Sequence, residues 1–429
     1  MSFPAYPEYK NSGVNWLREM PEHWIKGSLK NMAWIRNGKD HKEVESPGGT
    51  YPVIGSGGKF SNATSYLYDG ESVLLGRKGT IDKPLYINAR FWTVDTMFYT
   101  EVSKGASARF LYYYALTIPF GFYSTSTALP SMTQGDLLNH PAAIPPRREQ
   151  TQIAYFLDHE TARIDALIEE QQRLIELLKE KRQAVISHAV TKGLDPTVPM
   201  KDSGVEWLGE VPEHWMVSKF GYISSVVRGG SPRPAGDPEL FNGDYSPWVT
   251  VAEITKDDEI CLDETETFLT KKGSDQCRIF SRGTLLLSNS GATLGVPKIL
   301  MLDANANDGV VGFENILLDK EFSYFYLATL TEGLRERAAG SGQPNLNTDI
   351  VKSIDVPIPP ANEVAEIVAV VKKLRAQFHF LSKEASEGVR LLQEHRSALI
   401  SAAVTGKIDV RGWQPPASAS SPESAQEAV

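Results

Sequence analysis

The chain contains two copies of one framework. The segment SGVNWLREMPEHW at residues 12–24 returns as SGVEWLGEVPEHW at 203–215, with 10 of 13 positions identical at an offset of 191. We call these two stretches the PEHW segments. A second repeat, AVISHAVTKGLD at 184–195 and ALISAAVTGKID at 398–409, has 7 of 12 positions identical at an offset of 214. A period near 200 residues is too long for a solenoid and indicates two copies of one domain with its connector. The stretches between the repeats differ, and the second is longer by 23 residues, so one framework is expected to present two different surfaces.

Composition limits the class of protein. At 429 residues the chain has room for two or three domains, and its 41% hydrophobic and 23% charged residues are ordinary for a soluble protein. Cys261 and Cys277 have no CxxC partner, which predicts a reducing compartment and no metal cage. The first residues, MSFPAYPEYK, lack a signal-peptide pattern, and no apolar run is long enough to span a membrane. We therefore expect a cytoplasmic protein.

Two long helical patterns follow the Ile-Pro-Pro triplets at 144–146 and 358–360. Alternating steps of four and three residues, starting at Ile153 and again at the offset of 214, give mostly apolar seams of the coiled-coil type. Each helix should begin after its Pro-Pro pair, because the residue before a proline resists the helical region, and should end at Gly193 or near Gly406. About 40 residues make a rod of roughly 60 Å. The predicted apolar seam residues are Ile153, Leu157, Ile164, Leu167, Leu174, Leu178 and Val185 in the first helix, and Ile367, Val371, Leu374, Phe378, Leu381, Leu392 and Leu399 in the second.

Such a helix cannot bury its seam alone. We expect the two helices to pair antiparallel with each other; packing of each helix on its own module is the alternative, and the apolar stripe could also continue onto another subunit. The predicted fold class is α+β, with two mixed α/β modules joined by two long helices in an antiparallel coiled coil and a pseudo-twofold internal repeat. The predicted segments are an N-terminal segment with the first PEHW copy at 1–25, the first module at 26–147, the first spacer helix at 148–192, the second PEHW copy at 193–216, the second module at 217–361, the second spacer helix at 362–406 and a disordered tail at 413–429.

The sequence lacks the residue constellations that a catalytic site requires. It has no GxxxxGK[ST], HExxH, CxxC or GxSxG motif. The Pro-Pro pairs follow Ile144 and Ile358, so they lack the Asn or Asp with which an amino-methyltransferase holds its target amine. His23 and His214 occupy equivalent positions in Glu-His-Trp, and we interpret them as structural residues of the PEHW segments rather than as ligands. We expect a non-catalytic chain that holds no cofactor and no metal.

In each module a strand leads into a glycine loop with polar side chains. The loops are GRKGTIDKP at 76–84 and SNSGATLGVP at 288–297, and Gly79 aligns with Gly291 at an offset of 212. Glycine lets a backbone approach a surface closely, and backbone amides there can bind phosphate oxygens. An ordinary β-hairpin turn explains the glycines equally well.

A second pair of polar loops precedes the helices, STSTALPSMTQ at 124–134 and AGSGQPNLN at 339–347. Hydroxyl and amide side chains of this kind position a DNA backbone or contact base edges; a polar surface loop that caps the next element is the plainer interpretation. Cations such as Arg77 and Lys78 suit phosphates or guanine edges, and Asn289 suits an adenine edge or a phosphate. The candidate DNA-binding residues are Arg36, Lys39, Lys59, Arg77, Lys78, Thr80, Lys83, Thr125, Thr127, Thr133 and Gln134 in the first half, and Arg228, Arg233, Asn289, Ser290, Thr293, Lys298, Gln343, Asn345 and Asn347 in the second.

The charge of the two halves differs. The whole chain carries −9; residues 26–149 contain 14 basic and 10 acidic residues, whereas residues 216–360 contain 13 basic and 20 acidic residues. Affinity for nucleic acid depends on the phosphates that are contacted, so a local patch can serve in an acidic chain. The second module must therefore concentrate its cations on one face or depend on a partner.

These features together resemble the DNA-specificity subunits of type I restriction–modification systems over nearly the whole chain. The residues that carry the resemblance are the paired SGVxWLxExPEHW stretches, LLGRKGTI at 74–81, PNLN at 344–347 and the two long helices. The chain departs from the family pattern at Asp82, where glycine is expected, and at Ser288-Asn289-Ser290, which stands where the first half has Gly76-Arg77-Lys78.

The resemblance implies a sequence-specific, non-catalytic DNA-binding subunit. Each module would be a target-recognition domain for one half of a bipartite, asymmetric double-stranded DNA site. The paired helices would act as a spacer and as a docking surface for two methyltransferase subunits, which use S-adenosylmethionine to methylate adenine. A separate restriction subunit would use ATP and Mg to translocate and cleave unmodified DNA. The alternative is a coiled-coil interaction scaffold whose modules bind protein or glycan.

Overall fold

The structure is a computed structural model that describes residues 3–14, 16–123, 130–291, 293–338 and 345–416. The chain forms two compact units: unit 1 comprises Met1–Arg173 and Ser386–Val429, and unit 2 comprises Leu174–Ala385. Each unit contains one PEHW segment, one module and a part of both long helices. Among the described residues, no helix combines the length and the apolar character needed to span a bilayer.

Unit 1 is built on a six-stranded sheet of order β4-β9-β7-β8-β5-β6, in which only β5 and β8 pair in parallel. Its strands are β1 (Tyr9–Asn11), β2 (Glu19–Pro21), β3 (Ile25–Ser28), β4 (Ala33–Asn37), β5 (Tyr51–Gly55), β6 (Gly58–Ala63), β7 (Tyr68–Gly76), β8 (Leu85–Thr93), β9 (Met97–Val102) and β10 (Pro141–Ile144). Its helices are α1 (Ala108–Ala115), α2 (Phe120–Tyr123), α3 (Gln134–Leu138) and the beginning of α4 (Arg147–Lys192). Side chains alternate along a strand, so Val73 and Leu75 pack in the core that includes α1 and α4, and Leu74 packs in a second core on the other face of the sheet.

Unit 2 repeats this design with more elements. Its strands are β11 (Met200–Asp202), β12 (Glu210–Pro212), β13 (Met216–Lys219), β14 (Ser225–Arg228), β15 (Phe241–Val249), β16 (Cys261–Leu262), β17 (Phe268–Leu269), β18 (Ile279–Phe280), β19 (Leu285–Ser288), β20 (Pro297–Leu300), β21 (Ala304–Ala306), β22 (Val310–Glu314) and β23 (Asp355–Ile358). Its helices are α5 (Phe220–Ile223), α6 (Val251–Thr255), α7 (Lys271–Ser274), α8 (Lys320–Thr329), α9 (Thr331–Ala338), α10 (Thr348–Lys352) and the first part of α11 (Ala361–Val404). The two larger sheets have the orders β14-β22-β19-β20-β16 and β17-β15-β21-β18, and the pairs β11-β12 and β13-β23 form two-stranded sheets.

The internal repeat extends through the modules, beyond the stretches of identical sequence. The order β4-β9-β7-β8 of unit 1 returns as β14-β22-β19-β20 in unit 2. The hydroxyl of Tyr114 donates to the carbonyl of Pro141, and the hydroxyl of Tyr326 donates to the carbonyl of Asp355 at 2.6 Å. The two tyrosines are related by an offset of 212, which also relates the glycine loops. The residues of the two carbonyls are related by an offset of 214, which also relates the long helices. The predicted α+β fold with two related modules is confirmed.

Most of the extra residues of the second half lie in one connection. Ile54 pairs in parallel with Thr93, as Val249 pairs with Ala306, so β5 corresponds to β15. From Ile54 to the buried Leu74 at the centre of β7 the chain of unit 1 takes 20 positions. From Val249 to the equivalent buried residue of β19, Leu286, the chain of unit 2 takes 37 positions. This connection contains α6, α7 and β16 to β18. It therefore holds 17 of the 23 additional residues.

The long helices begin and end where the sequence predicts. Helix α4 starts directly after Pro146 and α11 directly after Pro360. Gly193 and Gly406 follow their ends with φ of +77° and +75°, a left-handed conformation that glycine adopts without steric cost. A side chain at Gly193 would also meet the Trp215 ring at 3.3 Å. These two glycines therefore terminate the helices and let the PEHW segment pack closely.

Within each unit the two helices pack antiparallel, as expected. In unit 1, Arg396 of α11 donates to Asp165 of α4 at 2.8 Å, and the earlier residue Gln152 donates to the later carbonyl of Val410 at 3.1 Å. The helix residues share one core with the module of their unit. Helix pairing and packing on the module thus occur together. The helix residues in these cores include Ile153, Leu157, Ile164, Leu399 and Val404 in unit 1, and Ile186, Val190, Val364, Ile367 and Val371 in unit 2.

The central positions of the predicted seam differ from the structure. Leu167, Leu174 and Leu381 are 46%, 42% and 47% exposed, whereas Ile168 and Ile175, one position further on, are half-buried. A strict seven-residue repeat drifts by about 20° per heptad on a straight α-helix of 3.6 residues per turn, so the contact line moves to the next residue. The seam residues that are half-buried are Leu178, Val185, Leu374, Phe378 and Leu392. Of the predicted disordered tail, residues 417–429 lie outside the described residues.

Candidate nucleic-acid interface

The two glycine loops have the same backbone conformation at their aligned glycines. Gly79 and Gly291 both adopt a φ of +81°, which L-residues with a side chain rarely adopt. A Cβ atom added at either glycine would meet no atom within 4 Å. The left-handed backbone, not crowding, therefore requires glycine here, and both loops are open to a ligand.

In each unit the glycine loop pairs with the second polar loop. In unit 1 the amide of Gly79 donates to the carbonyl of Pro130 at 2.9 Å, and the amide of Met132 donates to the carbonyl of Arg77 at 3.0 Å. In unit 2 the amide of Leu346 donates to the carbonyl of Asn289 at 2.8 Å. The isolated bridges are Lys78 with Ser131 and Ser290 with Asn345. Two loops that are far apart in sequence thus form one surface in each unit, which we call the paired-loop surface.

The paired-loop surface of unit 1 exposes cations and a hydroxyl. Lys78, Thr80 and Lys83 are exposed. Arg77 is half-buried, because its guanidinium donates to the carbonyl of Asp95 at 3.2 Å and lies 5.9 Å from the centre of the Phe98 ring. Lys78 and Lys83 therefore present their charge to solvent more directly than Arg77 does.

The corresponding surface of unit 2 is neutral and polar. Ser290 is half-buried and Thr293 and Asn345 are exposed. Asn289 is fully buried, and its amide group donates to the carbonyl of Leu346 at 3.1 Å. Asn289 thus joins the two loops of this surface and does not extend from it, in contrast to the base-edge contact suggested by its sequence.

Lys298 does not offer a free charge in this structure. Its side chain is 1% exposed, and its ammonium group binds the Asp257 carboxylate and, at 2.6 Å, the carbonyl of Glu259. The hydrogen bond from Lys298 lowers the pKa of Asp257. Lys298 therefore fixes the connection between α6 and β16, and a phosphate contact by this residue would require that site to open.

Two of the candidate residues in the second loops cap short helices. The Thr133 hydroxyl accepts from the amide of Asp136 at 3.1 Å, and the Asn347 side chain accepts from the amide of Ile350 at 2.8 Å. Both are N-cap residues, of α3 and α10, and they are related by the offset of 214. Gln134 donates to the carbonyl of Ile35. The plainer interpretation, a capping role, accounts for these contacts. Thr125, Thr127 and Gln343 lie outside the described residues.

The remaining candidate cations are exposed on the modules. Arg36 pairs with Glu101 at 3.0 Å, and the Arg228 guanidinium donates to the carbonyl of Asp308 at 2.6 Å. Arg36 lies on β4 and Arg228 on β14, the equivalent edge strands of the two modules. Each precedes a glycine, Gly38 or Gly229, that is packed against backbone carbonyls, and these glycines are related by the offset of 191. The other exposed cations in this set are Lys39, Lys59 and Arg233.

The negative charge of the second module is concentrated in one stretch. Residues 253–266 contain seven carboxylates and one lysine. This acidic stretch lies in the connection that is longer in unit 2, and its Asp258 lies 3.5 Å from Arg182 on α4. Buried Lys298 holds the backbone of this stretch at the carbonyl of Glu259. Without this stretch, the rest of the second module is close to neutral. The acidic charge of the module is therefore separate in sequence from its paired-loop surface, which is neutral.

The PEHW histidines have the structural role that the sequence predicts. His23 Nε2 lies 2.8 Å from Glu149, and the Trp24 indole donates to the same carboxylate at 3.0 Å. The His-Trp pair of the second PEHW segment contacts Glu363 in the same way, at 2.7 and 2.9 Å. Neither glutamate was predicted from its sequence position, although each stands three residues after a Pro-Pro pair. Among the described residues, no cluster of three or more His, Cys, Asp or Glu side chains is placed to hold a metal.

A family model described as the type I restriction modification DNA specificity domain matches residues 21–178 and, a second time, residues 212–387. The chain belongs to this family. The two matches each run from a PEHW segment through a module and into a long helix, in agreement with the internal repeat. The predicted resemblance is thereby confirmed, and the family is the DNA-recognition component of type I restriction–modification systems.

Relatives and solved structures agree with this assignment. The type I restriction enzyme MjaIX specificity subunit of Methanocaldococcus jannaschii is 28% identical over 169 residues, a match that spans 38% of this chain and 38% of that relative. The EcoDI specificity subunit of Escherichia coli is 20% identical over 92% of this chain and 91% of its own length. A chain from a structure of complex assembly and conformational transition of the type I R-M system superposes with a TM-score of 0.71 at 14% identity, over 90% of this chain and 98% of that chain. That likeness shows the fold.

Proposed function

We propose that this specificity subunit binds a bipartite, asymmetric double-stranded DNA site, with each module acting as the target-recognition domain for one half. The paired-loop surfaces carry the proposal. They combine the same glycine conformation and the same loop pairing with different side chains in the two units. A shared backbone positions phosphates in the same way, whereas different side chains contact different bases.

The contacts differ in kind between the two units. In unit 1, Lys78, Thr80 and Lys83 bind phosphates or guanine edges. In unit 2, Ser290, Thr293 and Asn345 form hydrogen bonds with bases or phosphates, and the unit depends less on charge. The peripheral cations Arg36, Lys39, Lys59, Arg228 and Arg233 add phosphate contacts around these surfaces, and Thr125, Thr127 and Gln343 belong to the same loops by sequence.

The long helices provide the docking surface for two methyltransferase subunits. In unit 1 the exposed leucines Leu167 and Leu391 lie on the two antiparallel helices, and in unit 2 Leu381 and Leu177 do the same. Leu167 and Leu381 are related by the offset of 214, and so are Leu177 and Leu391. The exposed fractions within each related pair agree, at 46% and 47%, and at 51% and 51%. Equal apolar surfaces at equivalent positions favour two copies of one partner.

The chemistry belongs to those partners, in a cytoplasmic complex. The methyltransferase subunits bind S-adenosylmethionine and flip the target adenine out of the duplex, and a restriction subunit uses ATP and Mg. The segments follow the sequence: modules at 26–147 and 217–361, spacer helices at 148–192 and 362–406, and PEHW segments before each module. No contact within the described part of either unit favours the alternative of a scaffold for protein or glycan.

The experiment that tests this proposal maps methylated adenines across the genome in cells that carry the partner subunits, with and without this chain. The expected result is one two-part motif with a gap of fixed length, present only with the chain. Exchange of the 26–147 module for that of a relative should change one half of the motif and leave the other half and the gap intact. Methylation without sequence preference, or a motif that does not respond to the exchange, would refute the proposal.

A further inference from the structure

Each module contacts its long helix through an ion pair. In unit 1, Arg109 on α1 binds Asp158 on α4 through two guanidinium nitrogens, with Nε at 3.3 Å from Oδ2. The same carboxylate accepts the Tyr113 hydroxyl at 2.6 Å, and the guanidinium lies 4.5 Å from the centre of the Tyr86 ring. The module supplies the base, the helix supplies the acid, and the surrounding aromatic rings fix the geometry.

In unit 2 the ion pair has the opposite polarity. Glu321 on α8 accepts from the ammonium group of Lys372 on α11 at 2.9 Å. Here the module supplies the acid and the helix supplies the base. One turn further along α11, Arg375 donates to the Tyr324 hydroxyl of the same module at 3.4 Å, so the face of α11 that contacts the module carries two cations.

The two ion pairs occupy equivalent positions. Arg109 and Glu321 are related by an offset of 212, which also relates the N-cap residues of α1 and α8. Asp158 and Lys372 are related by an offset of 214, which also relates the two long helices. The internal repeat has therefore kept the contact and exchanged the charges of its two members.

We propose that this charge exchange restricts each module to its own helix. The first module placed on α11 would bring Arg109 against Lys372, one turn from Arg375, and the second module placed on α4 would bring Glu321 against Asp158. Like charges brought together in a contact surface disfavour the wrong pairing more than they cost the correct one. The two modules share one strand order, so the fold alone does not assign a module to its helix, within one chain or between two copies. This selection acts on folding and holds whether or not the modules bind DNA.

A module-exchange variant of the full chain tests the selection. Residues 217–361 are replaced by a second copy of residues 26–147, which places the Arg109 of the added copy against Lys372. Adding Lys372→Asp should raise the melting temperature of this variant by at least about 3 °C. The control is Lys373→Asp, the same charge change at the neighbouring exposed residue, and it should not raise the melting temperature. Equal effects of the two substitutions, or no effect of either, would overturn the proposal.

A double-mutant cycle in the native chain tests the selection if the module-exchange variant does not fold. Glu321→Lys and Lys372→Glu should each lower the melting temperature of unit 2 by about 3 °C or more. The double substitution restores the pair in reversed order and should return the melting temperature to within about 1 °C of the native value. If the two losses add instead, the pair does not select between partners and the inference is wrong.

Discussion

Replacing Glu149 by Gln should destabilise unit 1 far more than Glu363→Gln destabilises unit 2. The Glu149 carboxylate is 7% exposed and accepts three hydrogen bonds, from Tyr6 at 2.5 Å, from His23 at 2.8 Å and from Trp24 at 3.0 Å. Burial and the neighbouring carboxylate raise the pKa of Tyr6, so its proton stays on the hydroxyl that donates. A glutamine side chain has one acceptor oxygen and an amide NH2 group, so it would place a donor against the hydrogen-bond donors of Tyr6, His23 or Trp24. Each hydrogen bond to a charged acceptor contributes about 1.5–3 kcal/mol, and the expected loss in free energy of unfolding is about 3–5 kcal/mol.

Glu363 provides the matched control because it has the same position in the repeat and a different environment. It is 32% exposed and accepts two hydrogen bonds, from His214 and Trp215. The position equivalent to Tyr6, at the offset of 191, is Thr197, so the second copy of the repeat lacks the tyrosine that donates to Glu149. Water can replace part of the lost interaction, so the expected loss for Glu363→Gln is about 1–2 kcal/mol.

Urea unfolding of the two full-length variants and the native chain measures the free energies. Hydrogen exchange of the peptides that contain Trp24 and Trp215 assigns each loss to its unit. We expect faster exchange at the substituted unit alone. If the two variants lose the same free energy, burial does not determine the strength of this contact and the comparison with the exposed glutamate fails.

Three further results are expected. Replacing Lys78 and Lys83 together by Ala should make DNA affinity less dependent on salt. The slope of log affinity against log salt concentration should fall by about 2, because each phosphate contact contributes about 0.9. The control is Lys104→Ala, at an exposed lysine outside both loops, and equal slopes in the two variants would contradict the paired-loop surface. Lys298→Met should destabilise unit 2 by about 1–2 kcal/mol, because it removes the hydrogen bonds to Asp257 and Glu259, yet leave that salt slope unchanged. A slope lower by about 1 would identify Lys298 as a phosphate contact after all. Burial lowers the pKa of His140 to about 4, below its value in the unfolded chain. Between pH 7 and pH 5 the unfolded chain therefore binds a proton that the folded chain does not, and the free energy of unfolding should fall by about 2 kcal/mol. Calorimetry at both pH values should show a weaker pH dependence for His140→Gln, and an equal dependence in the two proteins would exclude His140 as its source.

The parts of the fold that could be predicted are those fixed by local sterics and by repetition. Pro146 and Pro360 set the beginning of a helix because of their own backbone restrictions, and Gly193 and Gly406 end it for the same kind of reason. The predicted middle of the seam was wrong at Leu167 because the sequence pattern alone does not reveal whether a helix supercoils. A period of 3.5 residues holds only when it does.

The paired-loop surface could not be predicted as one surface. Its contacts join residues 57 positions apart in unit 2, between Asn289 and Leu346, and pairings at such distances depend on the whole sheet. One part of it did have a signal in the sequence. Thr133 precedes Asp136 by three residues, and both contacts of a capping box form between them. The same reasoning applied to Asn347 would have assigned these two residues to helix caps rather than to DNA.

The offsets between related residues show why such a subunit can change its specificity without changing its fold. The offset is 191 up to the ends of β4 and β14, at Gly38 and Gly229, and 195 at Ile54 and Val249. It is 212 at the glycine loops and 214 from the second loops onward. Each step lies in a connection, and the pairings on either side of it are kept. Length is therefore added where the sheet register does not depend on it. The glycine loop keeps its backbone in both units. At the surface position of Lys78 and Ser290 a substitution changes the side chain that is presented at little cost in stability. Asn289 is buried and joins the two loops, so the position that it shares with Arg77 is less free to change.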